Sequence, residues 1–315
     1  ELAVQVRDNV VTYGRYLDLK STAIYGGTSV RSQKKVLKQG VDILVATPGR
    51  LLDLHNQGSI NFSKVEILVL DEADQMLDMG FINDIKKIIK LLPKRRQNLM
   101  FTATFSDPFR ALANQFSYNA LEISVTKDNE TAKNVEHYIH PVDTAKKSDL
   151  LIHLIKKKKW KQALVFTRTK HGANRLTKKL IRSHITAVAI HGNKTQNYRT
   201  RALDDFKKNR VRILVATDVA ARGIDIKNMN QVINFDLPNV AKDYVHRIGR
   251  TGRAGESGEA ISFVSSEQFE SLDAIQKLLK QTLEQHIVEG FEPTKDIQPN
   301  KKSKKKKKFR RRFKK

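Results

Sequence analysis

Ile43-Leu44-Val45-Ala46-Thr47 returns residue for residue as Ile213-Leu214-Val215-Ala216-Thr217, 170 positions further along a chain of 315 residues. Ala23-Ile24-Tyr25-Gly26-Gly27 is echoed in the same order by Ala189-Ile190-His191-Gly192-Asn193, at an offset of 166. One such pair is within reach of chance, but two in order at nearly one offset mark an internal repeat. A third pair, Leu99-Met100-Phe101-Thr102-Ala103-Thr104 and Leu164-Val165-Phe166-Thr167-Arg168-Thr169, is similar at a different offset. The repeated runs are short, apolar and rich in β-branched residues, and they close on Thr or Gly. That is the composition of strands buried on both faces of a parallel sheet. Amphipathic stretches such as 81–92 and 170–182 predict intervening helices. Strand–helix alternation implies right-handed crossovers and a doubly wound α/β architecture.

Working outward, the repeat predicts two tandem lobes with mainly parallel sheets, at residues 1–126 and 134–290. The polar stretch 127–133 links them, and 291–315 reads as a disordered basic tail. The length exceeds one ordinary core, and 39% hydrophobic residues suffice to bury two. The formal net charge is +26, and residues 301–315 hold twelve Lys or Arg and no acid, leaving +14 on the rest. A body basic without its tail points to a polyanionic partner. Phe309 and Phe313 inside the basic run suit single-stranded nucleic acid. Cysteine is absent, which excludes disulfides and thiolate metal sites and fits a cytoplasmic protein. No apolar run approaches the roughly 20 residues of a membrane helix, and no signal peptide is visible. Lys156 to Lys159 with Trp160 reads as a solvated face anchored by one aromatic.

In open α/β sheets ligands bind beyond the carboxyl ends of the strands. There, Ile67-Leu68-Val69-Leu70 runs directly into Asp71-Glu72-Ala73-Asp74. An apolar strand ending in carboxylates suits Mg²⁺, a hard cation held through oxygens and water. The adjacent acid can orient or deprotonate an attacking water. The competing reading is a helix N-terminus, where acids favour the macrodipole. In Tyr244-Val245-His246-Arg247-Ile248-Gly249-Arg250-Thr251-Gly252-Arg253, three arginines at a spacing of three offer planar forks for phosphate. Glycines 249 and 252 argue against a merely solvated helix face.

Asp71-Glu72-Ala73-Asp74 is the box that names the DEAD-box RNA helicases, and the chain resembles that family from Glu1 to about residue 290. The wording of 76–81 and 166–174 is most similar to the bacterial RhlE subgroup. The resemblance implies two RecA-like lobes and an ATP-dependent RNA helicase that locally unwinds short duplexes as ATP closes the lobes. ATP and Mg²⁺ would be its cofactors. By resemblance Asp71 holds Mg²⁺ through water, Glu72 acts on the attacking water, and Gly223 and Asp225 meet the nucleotide. Arg250 and Arg253 would reach the γ-phosphate. Asp74 would link to His246, with Thr102 and Thr104 coupling hydrolysis to strand separation; Thr102 stands where the family usually has Ser. RNA would be met by Gly26, Gly27, Thr47, Gly49 and Arg50 in lobe one, and by Arg168, Gln196, Arg199 and Thr217 in lobe two. Such contacts address phosphates and sugars and carry no sequence information.

Glu1-Leu2-Ala3-Val4-Gln5 resembles the end of the family's motif Ia, and nothing matches the phosphate-binding pattern G-x-x-x-x-G-K-[ST]. The expectation is a truncated start, a first lobe deprived of a core strand, and a fragment unable to turn over ATP by itself. A monomer with ribonucleoprotein or RNA-decay partners and no membrane is expected. Two rival readings stay open at this point: a non-catalytic RNA-binding protein, and a DNA-directed relative acting in repair.

Overall fold

The computed structural model describes residues 1–102, 105, 107–117, 120–124, 135–221, 226, 229–252 and 258–297. Its first half runs α1 (Leu2–Tyr13), β1 (Ser21–Ile24), α2 (Val30–Leu37), β2 (Ile43–Ala46), α3 (Pro48–Asn56), β3 (Ile67–Leu70), α4 (Ala73–Asp78), α5 (Ile82–Leu91), β4 (Gln97–Met100) and α6 (Asp107–Phe116). The second runs β5 (Val135–Pro141), α7 (Lys147–Lys157), β6 (Ala163–Phe166), α8 (Lys170–Arg182), β7 (Ala187–Ile190), α9 (Gln196–Lys207), β8 (Ile213–Ala216), α10 (Asp218–Ala221), β9 (Gln231–Asn234), α11 (Ala241–Ile248), β10 (Gly258–Val264), α12 (Phe269–Leu279) and β11 (Glu284–Gln285). Local chemistry sets several of these starts. The Thr169 hydroxyl caps α8 by accepting the Gly172 amide at 3.0 Å, and Thr195 caps α9 by accepting the Tyr198 amide at 3.3 Å.

Every described strand pair is parallel. The second half forms a seven-stranded sheet in the order β11-β5-β10-β9-β6-β8-β7, whereas the first forms two separate pairs, β1–β2 and β3–β4. Ala23 pairs with Val45, and Ala189 with Val215, so the two repeated stretches lie side by side in the same register in each lobe. The third similarity is not structural equivalence. β4 pairs with β3, whereas β6 lies between β8 and β9. The counterpart of β4 is β10, which flanks β9. Short apolar strands look alike in sequence whatever slot they fill.

The slot decides how much is buried. β8 is flanked by β6 and β7, and Ile213, Leu214, Val215 and Ala216 are all 0% exposed. The identical residues of β2 have one described neighbour, β1, and are only half-buried. Neither does any described strand lie between β2 and β3, and Ile67 and Val69 of β3 are 55% and 51% exposed. Lobe two instead packs apolar side chains on both faces of its sheet, with Phe166, Phe206, Tyr244 and Leu272 on one and Leu150, Trp160, Leu176 and Phe263 on the other. Burial of Trp160 agrees with its reading as an anchor beneath the lysine run. Lys147 is also buried here, its ammonium donating to the carbonyls of Phe235 at 3.0 Å and Phe263 at 2.8 Å and to the Gln268 side chain. Desolvation pulls its pKa down to about 8.

The tail boundary at 291 needs correction, because lobe two continues beyond it. Phe291 and Ile297 pack against its two core clusters, and Thr294 donates from its amide and hydroxyl to Asp143 at 3.1 Å. Apolar residues at the edge of a basic tail are recruited once a core offers them a place. Residues 298–315 and the linker 127–133 lie outside the described residues.

The paired strands make a controlled comparison. Leu214→Ala should cost about 2–5 kcal/mol of lobe-two stability, and Leu44→Ala about 1 kcal/mol or less of lobe-one stability, because its site is already half open. Native-state hydrogen exchange resolved by segment measures both, and equal losses would contradict the slot argument.

Candidate functional site

The acid box turns sharply as β3 ends. Asp71 is exposed, and its Oδ1 accepts the Glu72 amide at 2.9 Å. Glu72 adopts φ +50°, a left-handed conformation costing a non-glycine residue about 1–3 kcal/mol, and α4 begins at the next residue. The two sequence readings thus coincide, since the carboxylates end a strand and also begin a helix. The Ala73 amide donates to the Phe101 carbonyl at 3.1 Å, and the Phe101 amide to the Leu70 carbonyl at 2.8 Å. Thr102, adjacent to Phe101, is therefore held beside the box, with Asp74 buried at 2% exposure on α4. Among the described residues one Asp71 oxygen is engaged, by a backbone amide, which leaves an exposed carboxylate of the kind a water-bound Mg²⁺ requires.

α11 faces this box from the second lobe. Lys242 Nζ lies 2.7 Å from Asp78 Oδ1. Asp74 and Asp78 are one turn apart on α4, as are Lys242 and His246 on α11, so the ion pair aligns the two helices. Arg250 is half-buried in the turn after α11, its carbonyl accepting the Met229 amide at 3.2 Å. Gly252 takes φ +66°, where a Cβ would be strained, whereas Gly249 ends α11 at φ −65° and needs no such freedom. Arg247 departs from the expectation for the arginine series. It is 2% exposed, and its Nε and Nη2 grip Asp218 Oδ1 and Oδ2 at 2.5 and 2.7 Å. Nη1 donates to Asn234 Oδ1 at 3.0 Å and the Asp236 carbonyl at 2.6 Å, and the guanidinium lies 4.9 Å from the Phe166 ring centroid. A guanidinium satisfied by an internal carboxylate has no fork left for phosphate. Thr104, Gly223, Asp225 and Arg253 lie outside the described residues.

The residues assigned to RNA cluster at strand ends. Gly26 and Gly27 follow β1, with Gly27 at φ +78°. Arg50 braces their turn by donating to the Thr28 carbonyl at 3.3 and 3.4 Å. Thr47 precedes α3, its amide donating to the Ile24 carbonyl at 3.0 Å, and Gly49 is exposed in the first turn. In lobe two Arg168 follows β6, its amide donating to Asp236 Oδ2 at 3.0 Å, and the buried Thr217 follows β8. Gln196 and Arg199 open α9, where Arg199 Nη2 donates to Gln196 Oε1. These edges meet across the lobes: Arg199 Nε lies 2.9 Å from Glu1 Oε1, and a Cβ on Gly27 would lie 3.8 Å from that of Gln196. Gln196 Nε2 is buried with no partner among the described residues. Sequence reading missed Glu1, Asp78, Lys242 and Asp218, and also Gln33, whose Nε2 donates to the Tyr25 carbonyl at 3.0 Å and Thr28 Oγ1 at 2.6 Å and so holds the glycine turn. The acids and cations one turn apart on α4 and α11 were the available signal for the Asp78–Lys242 pair.

Comparison with known proteins gives matches to the DEAD/DEAH box helicase family over residues 1–113 and to the helicase conserved C-terminal domain over 146–255. The ATP-dependent RNA helicase RhlB of Pseudomonas putida is 42% identical over 282 residues, covering 89% of this chain and 71% of its own length. S. cerevisiae Dbp5 bound to RNA and ADP BeF3 superposes with a TM-score of 0.80 at 35% identity, over 91% of this chain and 75% of that one. A variant of the same yeast protein bound to Nup159, Gle1, IP6 and ADP gives 0.59 at 32% identity, over 94% and 76%.

Arg247→Ala should lower the stability of lobe two by about 3 kcal/mol, because it strands a partly buried carboxylate and two carbonyl-type acceptors. Arg247→Lys should recover little, since an ammonium cannot reproduce the fork. Thermal or urea denaturation measures this, and unchanged stability combined with weakened nucleotide binding would return Arg247 to the phosphate.

Proposed function

The chain belongs to the DEAD-box family of ATP-dependent RNA helicases, and on that premise we propose that its two lobes close on ATP and RNA together and open one short stretch of duplex per closure. The carrying observation is that the RNA-assigned Gly27 meets Gln196 across the lobes and the RNA-assigned Arg199 meets Glu1, on a chain whose α4, the helix that follows the acid box, is joined to α11 by Asp78 and Lys242. The chain superposes better on Dbp5 bound to RNA and ADP BeF3 than on the form bound to Nup159, Gle1, IP6 and ADP, at near-equal coverage, which supports a lobe arrangement like that of the RNA-bound form.

In this reading Glu72 accepts or orients the proton of the attacking water. Arg250 and Arg253 bring positive charge to the γ-phosphate as negative charge develops there, a contribution typically worth about 10³–10⁵ in rate. Gly223 and Asp225 hold the nucleotide and its ribose. Asp71 would retain Mg²⁺ through water, and the ion would neutralise phosphate charge when bound. Asp74 with His246, and Thr102 with Thr104, pass the state of this cleft to the RNA edge. Gly26, Gly27, Thr47, Gly49, Arg50, Arg168, Gln196, Arg199 and Thr217 address the RNA backbone, so binding is independent of sequence. The phosphate-binding loop is not among these 315 residues, and hydrolysis requires it. A RhlE-like placement rests on the wording of 76–81 and 166–174. A cytoplasmic monomer serving ribonucleoprotein or RNA-decay assemblies is the accompanying proposal, supported by the cysteine-free, strongly basic composition.

In a form of the protein joined to a phosphate-binding loop, Arg250→Ala or Arg253→Ala should cut RNA-stimulated ATP turnover at least a thousandfold while leaving nucleotide-free RNA affinity nearly intact. Near-normal turnover in both variants would sink the assignment. Deleting residues 298–315 should flatten the plot of log RNA affinity against log salt. If four or five phosphates are contacted, the slope falls by about 3, at roughly 0.7 per phosphate on single strands. An unchanged slope makes the tail a solubility appendage.

A further inference from the structure

We propose that Tyr198, with Lys194 packed on its ring, forms an additional platform for one unpaired nucleotide at the start of α9, lengthening the RNA path beyond Gln196 and Arg199. This rests on the RNA reading of that edge. Tyr198 is 40% exposed in the same helical turn as Gln196 and Arg199, the two residues that reach lobe one through Gly27 and Glu1. Lys194 Nζ lies 4.6 Å from the Tyr198 ring centroid, close enough for a cation–π contact. Both residues are held by backbone ties: the Lys194 amide donates to the His191 carbonyl at 2.9 Å, and the Tyr198 amide to Thr195 Oγ1 at 3.3 Å. An aromatic ring and an ammonium are therefore fixed side by side next to a buried amide, Gln196 Nε2, that has no partner among the described residues.

The surroundings favour an anion. α8 begins nearby with Lys170 and His171, both exposed. Burial holds the His191 imidazole below its ordinary pKa, and the charges of Lys194, Lys170 and His171 add to that effect. His191 Nε2 is 3.1 Å from Asn174 Oδ1, and its Nδ1 is buried without a partner among the described residues. Two ammonium groups, Lys170 and Lys194, thus lie around the carboxyl end of β7, the second of them on an exposed aromatic ring. The ligand that matches this pair is a nucleotide, its base or ribose against the phenol and its phosphate on the Lys194 ammonium. Because every base presents a π-face, the platform would be indifferent to sequence.

The test uses this chain and a fluorescent single-stranded RNA of twelve nucleotides, with anisotropy read for oligo-U and oligo-A. Tyr198→Ala should weaken binding about tenfold for both RNAs, while Tyr198→Phe stays within about twofold of the parent, since the ring and not the hydroxyl stacks. Lys194→Ala should reduce the salt slope by about 0.7, one phosphate. Gln196→Ala serves as the internal reference. If Gln196→Ala weakens binding and Tyr198→Ala does not, the platform is wrong and the RNA edge stands. If neither variant changes affinity, the reading of the edge fails as well. Equal losses in Tyr198→Ala and Tyr198→Phe assign the effect to the hydroxyl and overturn stacking. Tyr198 is exposed, so circular dichroism should show an unaltered fold in each variant.

Discussion

Parallel pairing is the constraint on which the rest of this molecule depends. Because every described strand runs parallel to the strands it pairs with, paired strands deliver the residues that follow them to the same edge. Asp71 follows β3, Thr47 follows β2, Arg168 follows β6 and Thr217 follows β8. No side chain has to be carried across the sheet to join the others. A polar residue placed after an apolar run is carried to the edge by topology alone, and two lobes with their edges apposed set these residues facing each other.

The same constraint explains why identical sequence is not identical structure. Ile43-Leu44-Val45-Ala46 and Ile213-Leu214-Val215-Ala216 share composition and register with their partners, yet one set is half-buried and the other wholly buried. A strand in the middle of a parallel sheet loses its solvent contact to neighbours on both sides and to helices on both faces. The residues of β2 have a described neighbour on one side, so their hydrophobicity is only partly used.

Arg247 shows how burial divides residues of one chemical type. Arginines at 247, 250 and 253 are equivalent in spacing and chemistry, but Arg247 falls on the inward face of α11, where Asp218, Asn234 and the Asp236 carbonyl meet its fork. A buried guanidinium is tolerated only when paired and fully hydrogen-bonded. Its neighbour three residues later falls in the turn beyond the helix and is half-buried. The pairing of Arg247 with Asp218 also fixes α11 to the end of β8, which steadies the helix bearing Lys242 and His246.

The sequence by itself determined the strand–helix alternation, the repeat, the acid box at a strand end and the list of polar residues that close the apolar runs, because side-chain periodicity and strand-ending chemistry are local properties. Helix α8 was legible to the residue, since Thr169 and its amphipathic period are written next to each other. What only tertiary structure decided was which equivalents are true equivalents, which arginine is structural, and which pairs cross the lobes. Glu1 with Arg199 and Asp78 with Lys242 are separated by more than 160 positions, and the charges spaced one turn apart on α4 and α11 mark a face of each helix without saying that the two faces meet. The apposition of the two lobes, not the order of residues in the chain, brings them within reach of each other.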